Sequence, residues 1–522
     1  MTDGHVTAPS GAPRALTTDA AERRLLVVGD SDSYVKWGAA LASTLPVEWT
    51  SRLVVVASPV QPSARQLEHA LDGTRFAPAD ARVLPLDGRP GVPGLDDELD
   101  AFDPHAVLLA LRGPFVRVVA PRLLRRRNRP VLVSGFPGLT IPAVPKAVIY
   151  REQTDLIVLH SRREVREFRA NAAELGIDRM FGLATLPFLS TAGSTDGGGP
   201  RGTDVVFAAQ AKVPIGPEDR MRVLSALAEL ARRRPDRRVV VKVRARAGEA
   251  QTHEEAHDYA DLMGDLGAAD ELPPNLVVED GPMAAHLERA GALVTVSSTA
   301  ALESIALGLP TLLLDDFGIS PSMINTVFEG AGLFGSTDDL AGGRFRLAEP
   351  SWLADNYSHG RDADDWAARL AALVEAREIV PLPHLERRHD LSGGALRSAF
   401  ERRRMLGAHD RTLTGALAWG VGVPARGVVR RVRREQRRLA HALSGAAAGA
   451  AASAALDGSA VAESVAQRSV PRRVREVRLG VAPDAGLLVG GQLATDLAGH
   501  AGDERAGRHD GALEHHGAGR DE

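Results

Sequence analysis

Residues Leu293–Thr311 read LVTVSSTAALESIALGLPT. Leu293–Val296 is short, apolar and β-branched, which suits a strand buried on both faces. Ser297, Ser298 and Thr299 follow as a hydroxyl cluster opening a helix over Ala300–Leu307. Gly308-Leu309-Pro310 then stops the helix and returns the chain to a strand at Thr311–Leu314. Strand, polar turn, helix and strand in that order make a parallel α/β unit. The free N–H groups at the helix start, with the three hydroxyls, form an anion site, and Glu303 lies one turn further in, facing the same ligand.

The same alternation extends in both directions. Val205–Ala208, Val239–Val243 and Leu276–Val278 read as further strands, and Arg220–Arg233 as a helix with one apolar stripe. Upstream, residues 190–203 (STAGSTDGGGPRGT) are Gly/Ser/Thr-rich and without apolar periodicity, which marks a linker. Before the linker, Leu25–Val28, Leu53–Ala57, Val83–Leu86, Ala106–Leu111, Val131–Ser134 and Leu156–Leu159 read as six more strands, with helices between them at Tyr34–Thr44 and Ser63–Leu71. The expected organisation is a disordered leader (1–22), a Rossmann-like domain (23–189), the linker (190–203), a second Rossmann-like domain (204–380), basic helices (381–440) and a low-complexity, disordered tail (441–522). Two parallel sheets whose carboxyl ends face one cleft place the site in that cleft.

Composition narrows the chemistry. At 522 residues and 55.3 kDa the chain has room for roughly three units of domain size. There is no cysteine, so disulfides, thiolate nucleophiles and Cys-ligated metal centres are excluded. A net charge of −4 gives no global attraction to nucleic acid. The N-terminus lacks an apolar signal region and no apolar run is long enough to span a bilayer, so the expectation is a cytoplasmic protein. Gly-x-Ser-x-Gly, His-Glu-x-x-His, Gly-x-Gly-x-x-Gly after the first strand and the Walker lysine are all missing, which removes esterase, zincin, dinucleotide-oxidoreductase and P-loop readings. No metal and no cofactor are expected.

Four segments follow strands and therefore emerge at the functional edge of a sheet. The first is the Ser297-Ser298-Thr299 cluster with Glu303. The second is Lys242-Val-Arg244-Ala-Arg246-Ala-Gly-Glu249-Ala-Gln-Thr-His253, whose cations suit a phosphate or nucleobase. The third is Gln210-Ala-Lys212-Val-Pro214. The fourth is Asp30-Ser31-Asp32-Ser33, where carboxylates at a helix start are stabilised as anions and one can serve as general base. The lysines sharpen this reading. Only Lys36, Lys146, Lys212 and Lys242 are lysine among 63 basic residues, and three of those four fall after strands on the cleft edge, where a compact ammonium is wanted. Arg151 and His160 flank the sixth strand and are read, with Lys36, as acceptor-side residues.

The segment Ser297-Ser-Thr-Ala-Ala-Leu-Glu303…Gly308-Leu-Pro310 resembles the nucleotide-binding signature of GT-B fold glycosyltransferases. Together with Gly29-Asp-Ser-Asp-Ser-Tyr-Val-Lys-Trp37 and Ser134-Gly-Phe-Pro-Gly-Leu139, it is similar to an uncharacterised glycosyltransferase-type family of GC-rich bacteria. The resemblance implies a GT-B fold and transfer of a sugar from a nucleotide-sugar to a glycan or lipid-linked acceptor in polysaccharide biosynthesis. It implies that Ser297, Ser298, Thr299, Gln210, Lys212, Lys242, Arg244 and His253 hold the donor and that Glu303 holds its ribose. Asp30 or Asp32 is then the base of a metal-independent, inverting displacement. Retaining members carry a second glutamate about eight residues before the ribose-binding one, and Leu293–Val296, the corresponding place, supplies no acid. Sugar-nucleotide 2-epimerases share the architecture and remain an alternative, as does a non-catalytic partner protein of the same fold. From Glu401 to Arg438 the chain carries 11 arginines against three acids, and Arg426–Arg438 is read as a peripheral contact with an anionic membrane.

Overall fold

The computed structural model describes residues 22–190, 202–210, 213–243, 257–269 and 271–422. The first domain begins β1 (Arg23–Gly29), α1 (Asp32–Ser43), β2 (Trp49–Val56), α2 (Ala64–Leu71), β3 (Arg82–Leu84), α3 (Leu95–Phe102), β4 (Ala106–Ala110) and α4 (Gly113–Leu124). It continues with β5 (Val131–Gly135), α5 (Pro145–Ile149), β6 (Leu156–Leu159), α6 (Arg162–Glu174), β7 (Met180–Leu183) and α7 (Pro187–Ser190). Its seven strands are all parallel, in the order β3-β2-β1-β4-β5-β6-β7. Alternate residues of β1 feed two cores. Leu25 and Val27 pack with Trp37 and Leu41 of α1, whereas Leu26 and Val28 pack with Phe115 and Val119 of α4. Helices on both faces explain why these strands are continuous apolar runs.

The second domain runs β8 (Asp204–Ala208), α8 (Pro217–Arg233), β9 (Val239–Lys242), α9 (Tyr259–Ala269), β10 (Leu276–Glu279), α10 (Met283–Arg289), β11 (Ala290–Thr295), α11 (Ala300–Ala306) and β12 (Thr311–Leu314). It closes with β13 (Phe334–Gly335), α12 (Thr337–Ala341) and α13 (Pro350–Asp355). Its six parallel strands follow the order β10-β9-β8-β11-β12-β13. Each sheet therefore reverses direction once, between β1 and β4 and between β8 and β11. A crevice opens at the carboxyl end of such a reversal, and that is where ligands bind in open α/β sheets. Two parallel-sheet α/β domains are the expected fold class.

Three elements differ from the sequence reading. β7 adds a seventh strand to the six expected. It carries Gly182, over which the backbone of Trp366 packs at 3.0 Å from the position a Cβ would take. α14 (Trp366–Ile379) lies wholly within the span assigned to the second domain, yet Trp366, Leu370 and Val374 are buried in the first domain's core against Leu156 and Val158. The chain thus crosses back before it ends. Within the span expected to form basic helices (381–440), the first helix starts only at Gly394, as α15 (Gly394–Leu406), because Gly393 takes the left-handed conformation at φ +89°. The residues before it are held by side-chain contacts instead, a hydrogen bond between His389 and Glu152 at 2.8 Å and an ion pair of Arg117 with Asp390 at 2.9 Å. The leader, most of the linker and the tail beyond 422 lie outside the described residues. Among the described residues no helix is long and apolar enough to cross a membrane.

Candidate functional site

Both crevices are laced shut at their floor by one polar side chain. In the first domain that side chain is Asp30, immediately after β1. Its carboxylate accepts from Arg112 Nε at 2.6 Å and from Ser31 Oγ at 3.3 Å, and Arg112 follows β4. The pair therefore ties together the two strands between which the sheet reverses. Asp30 has no exposed surface. Burial pushes its pKa up and Arg112 pulls it back. A base must touch the proton that it removes, and this carboxylate faces only protein. The reading of Asp30 as a base is corrected to that of an ion-paired bracket.

Asp32 is different. It is the first residue of α1, exposed, and one turn from Lys36. Although the residue is exposed, protein packed around its carboxyl partly desolvates it and raises its pKa, while Lys36 and His69 of α2 oppose the rise. A carboxylate of raised pKa that reaches solvent is the better proton acceptor. His69 is a member of this group that the sequence reading did not single out, since an exposed histidine on a charged helix carries no local signal.

In the second domain the bracket is Gln210, two residues past β8. Its Oε1 accepts from the Ser297 backbone N–H at 2.9 Å and its Nε2 donates to Ser297 Oγ at 3.1 Å. The expected anion cradle beyond β11 is thus largely satisfied from within. Thr295 Oγ1 accepts from Ser298 N at 3.2 Å, and Ser298 Oγ accepts from Ala300 N at 3.2 Å. Ser297 is buried, Ser298 is half-buried, and only Thr299 presents itself to solvent. Buried donors take the nearest acceptor, and this turn supplies its own. The donor-holding role expected of Ser297 and Gln210 is therefore corrected to one of shaping the turn.

Arg220 of α8 supports the same turn from beneath. It donates to the carbonyls of Pro214 at 2.9 Å, Gln210 at 3.1 Å and His257 at 2.7 Å, and lies 4.9 Å from the Tyr259 ring. One buried guanidinium so holds both ends of the loop after β8. The abundance of arginine in the chain hides such a residue from sequence inspection.

Glu303 of the second domain feels charges from both domains. Glu303 of α11 is half-buried, and burial raises its pKa. Lys36 of the first domain and Lys242, at the end of β9, both act on it in the opposite direction. Lys242 is 9% exposed. α7 packs against both α1 and α11 and so fixes the two helices that carry Lys36 and Glu303. Glu303 is thus under the influence of a lysine from each domain, with Asp32 one turn from Lys36 and Thr299 one turn from Glu303. Lys212, Arg244 and His253 lie outside the described residues, as do Arg246, Glu249 and the segment Arg426–Arg438.

The two remaining acceptor-side candidates are interior. His160 has no exposure, and burial holds its ring neutral. Trp37 Nε1 donates to its Nε2 at 2.8 Å, which assigns the proton to Nδ1, facing the Ala184 carbonyl at 2.9 Å. Arg151 is 2% exposed and has neutral partners: the Gly135 carbonyl at 2.8 Å, Ser134 Oγ at 3.2 Å, Tyr34 Oη at 3.3 Å and the Phe136 ring at 3.8 Å. Both side chains turn inward from the strand end and pin α1 to the turn after β5. Their expected place on the acceptor surface is corrected; Lys36 alone of that group is exposed. Among the described residues no group of three His, Asp or Glu side chains has metal-binding geometry.

Comparison with solved structures gives distant likenesses. The UDP-GlcNAc 2-epimerase of Neisseria meningitidis bound to UDP-GlcNAc is 12% identical, over 68% of this chain and 99% of that one, with a TM-score of 0.44. The UDP-GlcNAc 2-epimerase of Methanocaldococcus jannaschii is 11% identical, over 68% and 99%, also at 0.44. A ugt transferase from Siraitia grosvenorii in complex with UDP is 13% identical, over 68% and 94%, at 0.35. No curated protein sequence matches the chain. Residues 25–373, which span both sheets and the cleft between them, match the sequence family "Putative glycosyltransferase (DUF6716)", and the chain belongs to that family.

Proposed function

We propose that this protein transfers a sugar from a nucleotide-sugar to a hydroxyl of a glycan or lipid-linked acceptor in the making of a cell-envelope polysaccharide, with inversion and without a metal. The observation that carries the reading is the convergence of Lys36, Lys242 and Glu303, from two domains, at the facing carboxyl ends of two parallel sheets. Two ammonium groups in a partly desolvated cleft suit a diphosphate, because charge attraction strengthens as water is excluded. Glu303 accepts from the ribose hydroxyls, and Thr299 donates to the diphosphate from the same edge. Asp32 takes the proton of the acceptor hydroxyl as its oxygen bonds to the anomeric carbon. The bond from that carbon to the diphosphate oxygen breaks in the same step. The nucleoside diphosphate leaves with the electron pair, its charge met by Lys36 and Lys242.

The test is incubation of the purified protein with each of a set of nucleotide-sugars, with and without envelope glycan acceptors, followed by NMR of the products. Release of nucleoside diphosphate with a new, inverted glycosidic bond supports the reading. Conversion of the nucleotide-sugar to its 2-epimer without acceptor would overturn it in favour of an epimerase.

A further inference from the structure

A groove of about 530 Å³ lies on the flank of the first domain, and the reaction proposed above makes no use of it. Arg162, Arg166 and Arg169 of α6 line it, as does Arg369 of α14. The spacing i, i+4 and i+7 puts the three α6 arginines on one face of the helix, along about 10 Å of its length at 1.5 Å per residue. Phe181 and Leu183 of β7, the edge strand of the first sheet, supply apolar lining. Four guanidinium groups thus share the groove with one acid, Asp365.

These charges are incompletely met from within. Among the described residues Arg169 makes no ion pair. Arg369 pairs with Asp365 at 2.8 Å, yet its Nε is buried without a hydrogen-bond partner. Buried N–H groups are normally paired. Arg166 pairs with Asp355 at 2.7 Å in an exposed setting, where an ion pair contributes little and gives way to a better anion. Guanidinium forks recognise carboxylate and phosphate oxygens. Three of them on successive turns suit a chain with an anionic group on successive units rather than a single small ion.

Two further observations select the kind of chain. The strand edge is closed to an added peptide strand where it borders the groove. Leu183 N–H donates to Asp365 Oδ1 at 2.7 Å, and the Leu183 carbonyl accepts from the Asp365 N–H at 3.0 Å. Those are the backbone groups that an added strand needs. In addition, α6 begins straight after β6 with Arg162 as its first residue. The arginine row therefore starts at the carboxyl edge of the first sheet and runs away from it.

We propose that this groove holds the distal part of an anionic glycan, a chain bearing carboxylate or phosphate groups on successive units, whose end lies at that edge. The choice of a glycan rests on the reading of the protein as a glycosyltransferase, and the groove makes its acceptor anionic.

The full chain, without nucleotide-sugar, is to be titrated calorimetrically with oligogalacturonate, phosphomannan fragments, a neutral maltooligosaccharide and oligoglutamate. Saturable binding is expected with one or both anionic glycans and none with the neutral one, and it should weaken as salt is raised. Arg162→Gln combined with Arg166→Gln and Arg169→Gln should bind at least tenfold more weakly while keeping the wild-type melting temperature, since all three side chains are exposed. Arg232→Gln combined with Arg233→Gln and Arg234→Gln removes the same charge at the end of α8 and should leave binding unchanged. No binding to either anionic glycan, equal weakening by the two triple variants, or tighter binding of oligoglutamate would overturn the proposal. No sugar is transferred in this measurement, so its failure leaves the transfer reaction standing, and a failure of transfer in the product assay leaves binding to the groove still to be read.

Discussion

The ammonium of Lys36, on the first helix of the first domain, lies close enough to Glu303, on α11 of the second, to pull its carboxyl toward ionisation. Two residues from opposite ends of the folded region thereby share one electrostatic site. Substitution of either is expected to act on the same ligand. Glu303→Ala and Lys36→Ala should each raise the Kd for the nucleotide by roughly tenfold or more, the scale on which loss of one charge-assisted hydrogen bond is felt. Titration calorimetry of each variant with nucleotide checks this directly.

Glu303 also predicts a trade between stability and function. Its folded-state pKa lies above the ordinary 4.5 because burial outweighs both lysines. The folded state then binds the proton more tightly than the unfolded state, so ionisation of this group lowers stability as pH rises through the window above 4.5. Glu303→Gln, which stays neutral, should melt at or above the wild-type temperature at pH 7 in the absence of nucleotide. That difference should vanish well below pH 4.5, where both side chains are neutral. Thermal unfolding of the two proteins across pH supplies the comparison.

The two aspartates at the start of α1 should separate cleanly. Asp32→Asn should leave stability within about 0.5 kcal/mol, as for an exposed side chain. It should lower kcat by ~10²- to 10⁴-fold, the contribution typical of a general base. The acid limb of the pH–rate profile, displaced upward from the ordinary 3.8 by burial, should disappear with it. Asp30→Ala should do the reverse in kind, costing roughly 3 kcal/mol of stability by leaving Arg112 without its buried partner. Denaturant unfolding paired with rates for each variant distinguishes bracket from base.

Gln210 is predicted to be structural as well. Gln210→Ala removes the acceptor of the Ser297 N–H and the donor to Ser297 Oγ, both in a partly buried setting. The expected cost is about 1–3 kcal/mol. Ser297→Ala, which spares the backbone contact, should cost less. Urea titration measures both.

Much of this was readable before folding. Strands such as Leu25–Val28 and Leu293–Val296 stand out because helices cover both faces of each sheet, leaving no polar alternation. The turn Ser297–Thr299 and Glu303 were visible for the same reason, as polar residues stationed where a strand ends. What periodicity does not encode is the partner of an apolar face. The stripe of α14 is plain in sequence, but nothing local says that it packs on Leu156 and Val158 of the other domain. Nor does a strand-end position say which way a side chain turns. Asp32 and His160 both come just after a strand, yet one is exposed and the other is closed in by Trp37 and the Ala184 carbonyl. β7 escaped because four residues with a central glycine carry almost no strand signal.

The central claim is that one nucleotide site is assembled from both domains. Its most direct test is a thermal-shift measurement of the wild type, Lys36→Ala and Glu303→Ala against UDP, GDP, CDP, CMP and dTDP. A ligand that binds only the folded state raises the melting temperature. The account predicts a shift with one nucleotide class in the wild type and its loss in both variants. No shift in the wild type with any nucleotide, or an undiminished shift in both variants, would contradict it.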